Sequence, residues 1–99
     1  MDVDLTHRVT IQSKGRSGDV SVGLDELDLV FWWEFGGGTC VAIIHAPSPE
    51  EWLHQHPLNR HPRSAFLQAL AAEIRKLQCP GCSYEVTSHG ILFHEPGSP

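Results

Sequence analysis

The nine residues "LDLVFWWEF" (27–35) decide how the rest of the chain is read. Their odd positions, Leu27, Leu29, Phe31, Trp33 and Phe35, are all apolar, whereas the even positions are Asp28, Val30, Trp32 and Glu34. Side chains alternate across a strand with a period of two, so the stretch reads as a β-strand with one wholly apolar face turned to a core. The neighbouring tryptophans must then point to opposite sides. Trp33 belongs to the core, and Trp32 lies on the second face beside Val30, between Asp28 and Glu34. That face is either covered by another part of the chain, such as a short helix carrying Trp52, or left as an aromatic patch rimmed by carboxylates. Covering by the chain itself is the simpler expectation.

Downstream, "GGG" (36–38) can supply the positive dihedrals of a tight hairpin, and "TCVAIIHA" (39–46) follows as the returning strand. It is apolar on both faces, which places it inside the sheet. Upstream, "HRVTIQ" (7–12) alternates with Val9 and Ile11 on one side, "SKGRSGD" (13–19) is turn chemistry, and "VSVGL" (20–24) suits a short second strand. "SYEVT" (83–87) and "GILFH" (90–94) make a last pair of short strands around Ser88 and His89.

Between these strands lie two helix signals. "PSPEEW" (47–52) offers Ser48 as a cap, Pro49 at the first helical position and Glu51 three residues after the serine, the pattern of a capping box. Pro57 keeps that helix short. "HPRSAFLQALAAEIRKLQ" (61–78) is the long helix: Phe66, Leu67, Leu70, Ile74 and Leu77 fall within roughly 100° of one another, with Gln68, Arg75 and Lys76 opposite. Tightly connected neighbouring strands favour an antiparallel sheet, and one apolar helical stripe needs a sheet face to cover. The expected fold is therefore α+β: a two-layer, mainly antiparallel sheet in the order β-β-β-β-α-α-β-β, packed against one long amphipathic helix.

Ninety-nine residues, 40% of them hydrophobic and 19% charged, suit one domain spanning 1–99, with 95–99 as a flexible polar tail. The longest apolar runs, "LVFWW" and "CVAII", fall far short of a bilayer span, and the acidic amino terminus lacks an export signal, so the expected compartment is cytoplasmic and no membrane contact is expected. The formal charge of −5 opposes direct nucleic-acid binding, because phosphate contacts need Lys and Arg. Its distribution is uneven: residues 17–59 hold seven acids and no Lys or Arg, and four of the seven bases fall within 60–76.

Three cysteines do not match a secreted disulfide framework, so reduced thiols are expected. "CPGC" (79–82) has the spacing of half a zinc site, but a structural zinc needs four ligands and no second such pair exists. Cys79 and Cys82 with His89 or His94, and Cys40, would have to converge over long range. A redox dithiol of the thioredoxin type needs its first cysteine at a helix amino end, and this pair follows a carboxyl end, where the dipole opposes a thiolate. The remaining reading is a turn in which Pro80 and Gly81 end the helix and Cys82 is buried. "HQHPLNRHP" (54–62) reads as an exposed connection, since His54 and His56 lie about 200° apart on a helix.

No phosphate-binding glycine loop, serine elbow or assignable catalytic pair is visible, so the expected function is non-enzymatic and without a cofactor. What the residues favour is a small acidic interaction domain binding a basic protein partner, through Asp25, Glu26, Asp28, Trp32 and Glu34. A strand carrying "WWEF" ahead of a helix opening "PSPEEW" is similar in general architecture to small immunity proteins that neutralise bacterial toxins. The likeness, shared with other small regulatory inhibitors, covers the layout alone and no specific motif, and an inhibitor or immunity-type protein is one form the expected interaction domain could take. Two alternatives stand beside it: a zinc-stabilised module using Cys79, Cys82, His89 and His94, and self-association through Trp32.

Overall fold

A computed structural model describes residues 3–24, 27–36, 40–56 and 58–95, with the side chains of Leu24, Leu27 and Cys40 also outside the description. The expected glycine hairpin at 37–38, Pro57 and the tail beyond Glu95 therefore lie outside the described residues, except that Gly36 follows directly on the strand before it.

Strand β1 (Val9–Ser13) and strand β2 (Ser17–Leu24) form a hairpin whose turn contains Gly15 at φ 86°, a conformation that favours glycine. Val9 lies opposite Val22 and Ile11 opposite Val20, so one face of the hairpin is apolar. β2 starts at Ser17, three residues earlier than alternation suggests, because Ser17 to Asp19 pair with Glu34 to Trp32 of the next strand. Gly18 is there for space rather than for a turn. A Cβ at that position would overlap the Gln12 carbonyl oxygen and stand 2.9 Å from Nε1 of Trp33.

Strand β3 (Leu27–Phe35) is the whole of "LDLVFWWEF" and pairs with β2 from Ser17 opposite Glu34 to Leu24 opposite Leu27. Strand β4 (Cys40–His45) returns beside it, with Trp33 opposite Ile44 and Phe35 opposite Ala42. The last hairpin, β5 (Ser83–Thr87) and β6 (Gly90–His94), adds β6 against β4 and leaves β5 at the edge. The result is a six-stranded antiparallel sheet in the order β1-β2-β3-β4-β6-β5.

Helix α1 (Pro49–Trp52) is a single turn, shorter than the position of Pro57 alone requires. Its capping box is complete: Ser48 Oγ accepts from the Glu51 N–H at 3.2 Å, and the Glu51 carboxylate accepts from the Ser48 N–H at 3.1 Å. A 3₁₀ turn, Leu58–Arg60, leads into helix α2 (Arg63–Gln78), which begins two residues later than the pattern suggests, with Pro62 still extended. Arg63 pins that start: its Nε donates to the Pro47 carbonyl at 2.8 Å and its Nη2 to the Thr87 carbonyl at 2.7 Å.

The core lies between α2 and one face of the sheet. Phe66, Leu67, Leu70, Ala71 and Ile74 are buried against a set that includes Val20, Val22, Phe31, Ile44 and Ile91. Phe66 anchors the beginning of the helix, 6.0 Å from the Phe31 ring and 5.5 Å from that of Trp52. Leu77 departs from its expected place in the stripe. It lies within the stripe by angle, but in the last turn of the helix, and is 49% exposed.

One helix, roughly 10–12 Å across with its side chains, cannot cover six strands spaced roughly 4.8 Å apart. A cleft of about 330 Å³ consequently opens beside the last turns of α2, lined by Ile11, Val20, Trp33, Ile74 and Phe93 among others, with the half-exposed Phe35 also in its wall. Phe35 is thus on the core side, as its parity requires, yet at the open end of that side.

Candidate functional site: the outer face of the sheet

The strand register fixes which side chains share the face away from α2. Residues directly opposite one another in adjacent strands project to the same side. Trp32 faces Asp19 across β2, and continuation of the β3–β4 register places it opposite His45. The next row outward carries Ser17, Glu34, Ile43, Leu92 and Glu85, and the row on the other side carries Thr10, Ser21 and Val30. Val30 is 61% exposed and Trp32 47%.

The expectation that Trp52 or another segment covers Trp32 is therefore overturned. Trp52 is buried on the core side, its ring against Phe66 and its indole N–H donating to the His61 carbonyl at 2.8 Å. The start of α2 offers Trp52 both the Phe66 ring and a carbonyl acceptor at His61, and the single turn of α1 carries no second large apolar residue to lay over the outer face.

Trp32 is held by its neighbours instead. Its ring stacks on the imidazole of His45 with centroids 4.7 Å apart and planes at 19°. His45 in turn donates from Nε2 to Oε1 of Glu34 at 2.8 Å. A second imidazole repeats the pairing at the far side of the face, where His94 Nε2 stands 3.5 Å from Glu85 Oε1. Glu34 is partly exposed and Glu85 largely so, and each pair adds at most about 1 kcal/mol to folding and serves mainly to fix side-chain positions.

Charge on this face is predominantly negative. Asp19, Asp28, Glu34 and Glu85 lie on it, and of these Asp19 is matched by Lys14 at 3.0 Å. The bases of α2 are engaged elsewhere: Arg63 with backbone carbonyls, Arg75 over the Tyr84 ring at 5.1 Å, and Lys76 with the buried Glu73 at 3.2 Å.

Of the five residues expected to make the contact, Asp28, Trp32 and Glu34 share this face, while Asp25 and Glu26 lie outside the described residues. Two members were not anticipated, His45 and Asp19. Counting the β3–β4 hairpin back from its turn would have set His45 beside Trp32, but that count needs the register, which a run of three glycines leaves open. Asp19 was hidden by the reading of 13–19 as a turn.

The cysteines require a correction. Cys79 and Cys82 are joined in a disulfide rather than held as reduced thiols. Their Cα atoms stand 5.5 Å apart, within the span a disulfide bridges, because the turn closes on a bond from the Cys82 N–H to the Cys79 carbonyl at 3.0 Å. Cys82 is buried, as the turn reading expects. The four candidate zinc ligands are not brought together: His89 lies exposed in the β5–β6 turn and His94 pairs with Glu85. Among the described residues no group of three or more His, Cys, Asp or Glu side chains is placed to hold a metal ion. His54 and His56 are exposed, and His61 lies 5.8 Å from the Phe66 ring.

Among the described residues no helix is long and apolar enough to cross a membrane. Compared with known protein families, curated proteins and solved structures, the chain matches none of them. What its fold defines is a class: an α+β domain with an open antiparallel sheet, one face packed on a helix and the other presenting side chains to solvent.

Proposed function

We propose that this chain is a binding domain rather than an enzyme, and that it docks a basic protein partner on the outer face of its sheet. An inhibitor or immunity-type protein is the form this function takes. The observation that carries the reading is Trp32: a half-exposed tryptophan, pre-positioned by stacking on His45, in the middle of a face rimmed by Asp19, Asp28, Glu34 and Glu85. Large aromatics ordered before binding and ringed by polar groups are what interface hot spots use. The acidic rim supplies the long-range attraction that speeds encounter with a positively charged surface. Self-association is the weaker reading, because a second copy would set the same carboxylates against one another.

The test is to isolate the protein retained at low salt on immobilised wild-type domain, then measure its affinity for wild type, Trp32→Ala and Glu34→Gln. The proposal expects a basic protein whose affinity falls steeply with salt and at least tenfold with Trp32→Ala, while circular dichroism of the variant stays native. A partner that binds Trp32→Ala as tightly as wild type, or whose binding ignores salt, sinks it.

A further inference from the structure

Resting on that reading, we infer that the partner presents an arginine to Trp32: the free face of the indole is a seat for a guanidinium, above Asp19. The geometry of the stack supplies the first step. With the two ring planes only 19° apart and their centroids at 4.7 Å, the direction from Trp32 to His45 is the direction from β3 to β4. One face of the indole is therefore occupied, and the other looks the opposite way, over β2.

What lies on β2 there is short. Its outward residues are Ser17, Asp19, Ser21 and Gly23, and the one directly across from Trp32 is Asp19. The indole consequently stands as a wall beside a shallow trough with a carboxylate in its floor. A negative ring face next to a carboxylate is a seat for a cation. Lys14 already reaches that carboxylate from the β1–β2 turn, at 3.0 Å, through a side chain 67% exposed. A contact so exposed is readily exchanged for one from a partner.

The shape of the seat selects between the two cationic side chains. A guanidinium is planar and weakly hydrated, so it can lie flat on the indole while its N–H groups meet Asp19, with the four short residues leaving room beneath. A lysine ammonium is a compact, strongly hydrated point charge that gains the Coulomb term without the stack. Salt-sensitive attraction is thus shared by both cations, and the preference between them belongs to Trp32.

The experiment compares acetylated, amidated tetra-arginine and tetra-lysine peptides titrated into the whole chain at low salt, with the Trp32 indole N–H followed by NMR. Tetra-arginine is expected to bind about two- to fivefold more tightly, the range of an exposed cation–aromatic contact. Arginine side-chain protons should show contacts to the Trp32 ring. Trp32→Leu should bring the two affinities together, Trp32→Phe should keep a reduced preference, and Asp19→Asn should weaken both peptides. Equal affinities for wild type, a preference that survives Trp32→Leu, or indifference to Asp19→Asn would overturn the seat while leaving the acidic docking face standing. Failure of both peptides to bind would overturn the seat and the docking face together. The ring contacts are read on wild type, so the outcome does not depend on any variant folding.

Discussion

Replacing each of two adjacent tryptophans by alanine should have very different consequences. Trp33 is 7% exposed, lies against Gly18, meets Phe35 edge-on with centroids 5.2 Å apart, and donates its indole N–H to the Gln12 carbonyl at 3.1 Å. Emptying a site of that size in a packed core costs about 3–5 kcal/mol, and the partly buried Gln12 carbonyl loses its side-chain donor as well. Against the roughly 5–15 kcal/mol total stability of a domain this size, Trp33→Ala should leave a marginal or unfolded protein. Trp32, at 47% exposure, gives up a cross-strand stack and part of its apolar contact. That loss amounts to about 1 kcal/mol. Urea titration followed by far-ultraviolet circular dichroism measures both, with equal slopes for wild type and Trp32→Ala as the check that only stability has changed. Equal losses, or a larger loss for Trp32→Ala, would refute the assignment of faces from which the whole account of the outer surface follows.

Gly18→Val should destabilise by at least about 2 kcal/mol, the scale of forced overpacking, because a Cβ there overlaps the Gln12 carbonyl and crowds Trp33; thermal denaturation reads it. Ser48→Ala should cost about 1 kcal/mol through loss of the α1 cap, measured by urea titration. Hydrogen bonds from Ser48 hold the Glu51 carboxyl below its ordinary value, so its contribution is present above the unfolded carboxyl pKa and is lost as pH falls through the depressed folded value. Glu51→Gln should flatten that acid limb of the stability curve. Reduction of the Cys79–Cys82 disulfide should lower stability by about 2 kcal/mol at most, since so short a loop removes little entropy from the unfolded chain; urea titrations with and without dithiothreitol test it.

The strands and helices themselves were legible because their signals are local. "LDLVFWWEF" declares its two faces by parity alone, and Ser48, Pro49 and Glu51 write a capping box that forms as read. The last two strands, 83–87 and 90–94, also stand where alternation and the intervening turn place them. Where local reading failed, a partner in space had changed the meaning of a residue. Ser17 to Asp19 carry turn-forming residues, yet they are strand because Trp33 needs a glycine beneath it and β3 is long enough to pair with them. The cysteines read as thiols by count, and the closing turn brought them within bonding reach.

The candidate site divides in the same way. That Trp32 and Trp33 part company, and that carboxylates flank the first of them, follows from a period of two. Whether anything covers Trp32 was undecidable along the chain, because it turned on where Trp52 packs, and that depended on Phe66 some fourteen residues further on. The pairing of Trp32 with His45, and of the β2 row with both, needed the strand register, which no single strand contains. Periodicity assigns a side chain to a face from the geometry of one strand; exposure, stacking and ion pairing are properties of pairs of elements, and they exist only once those elements have met.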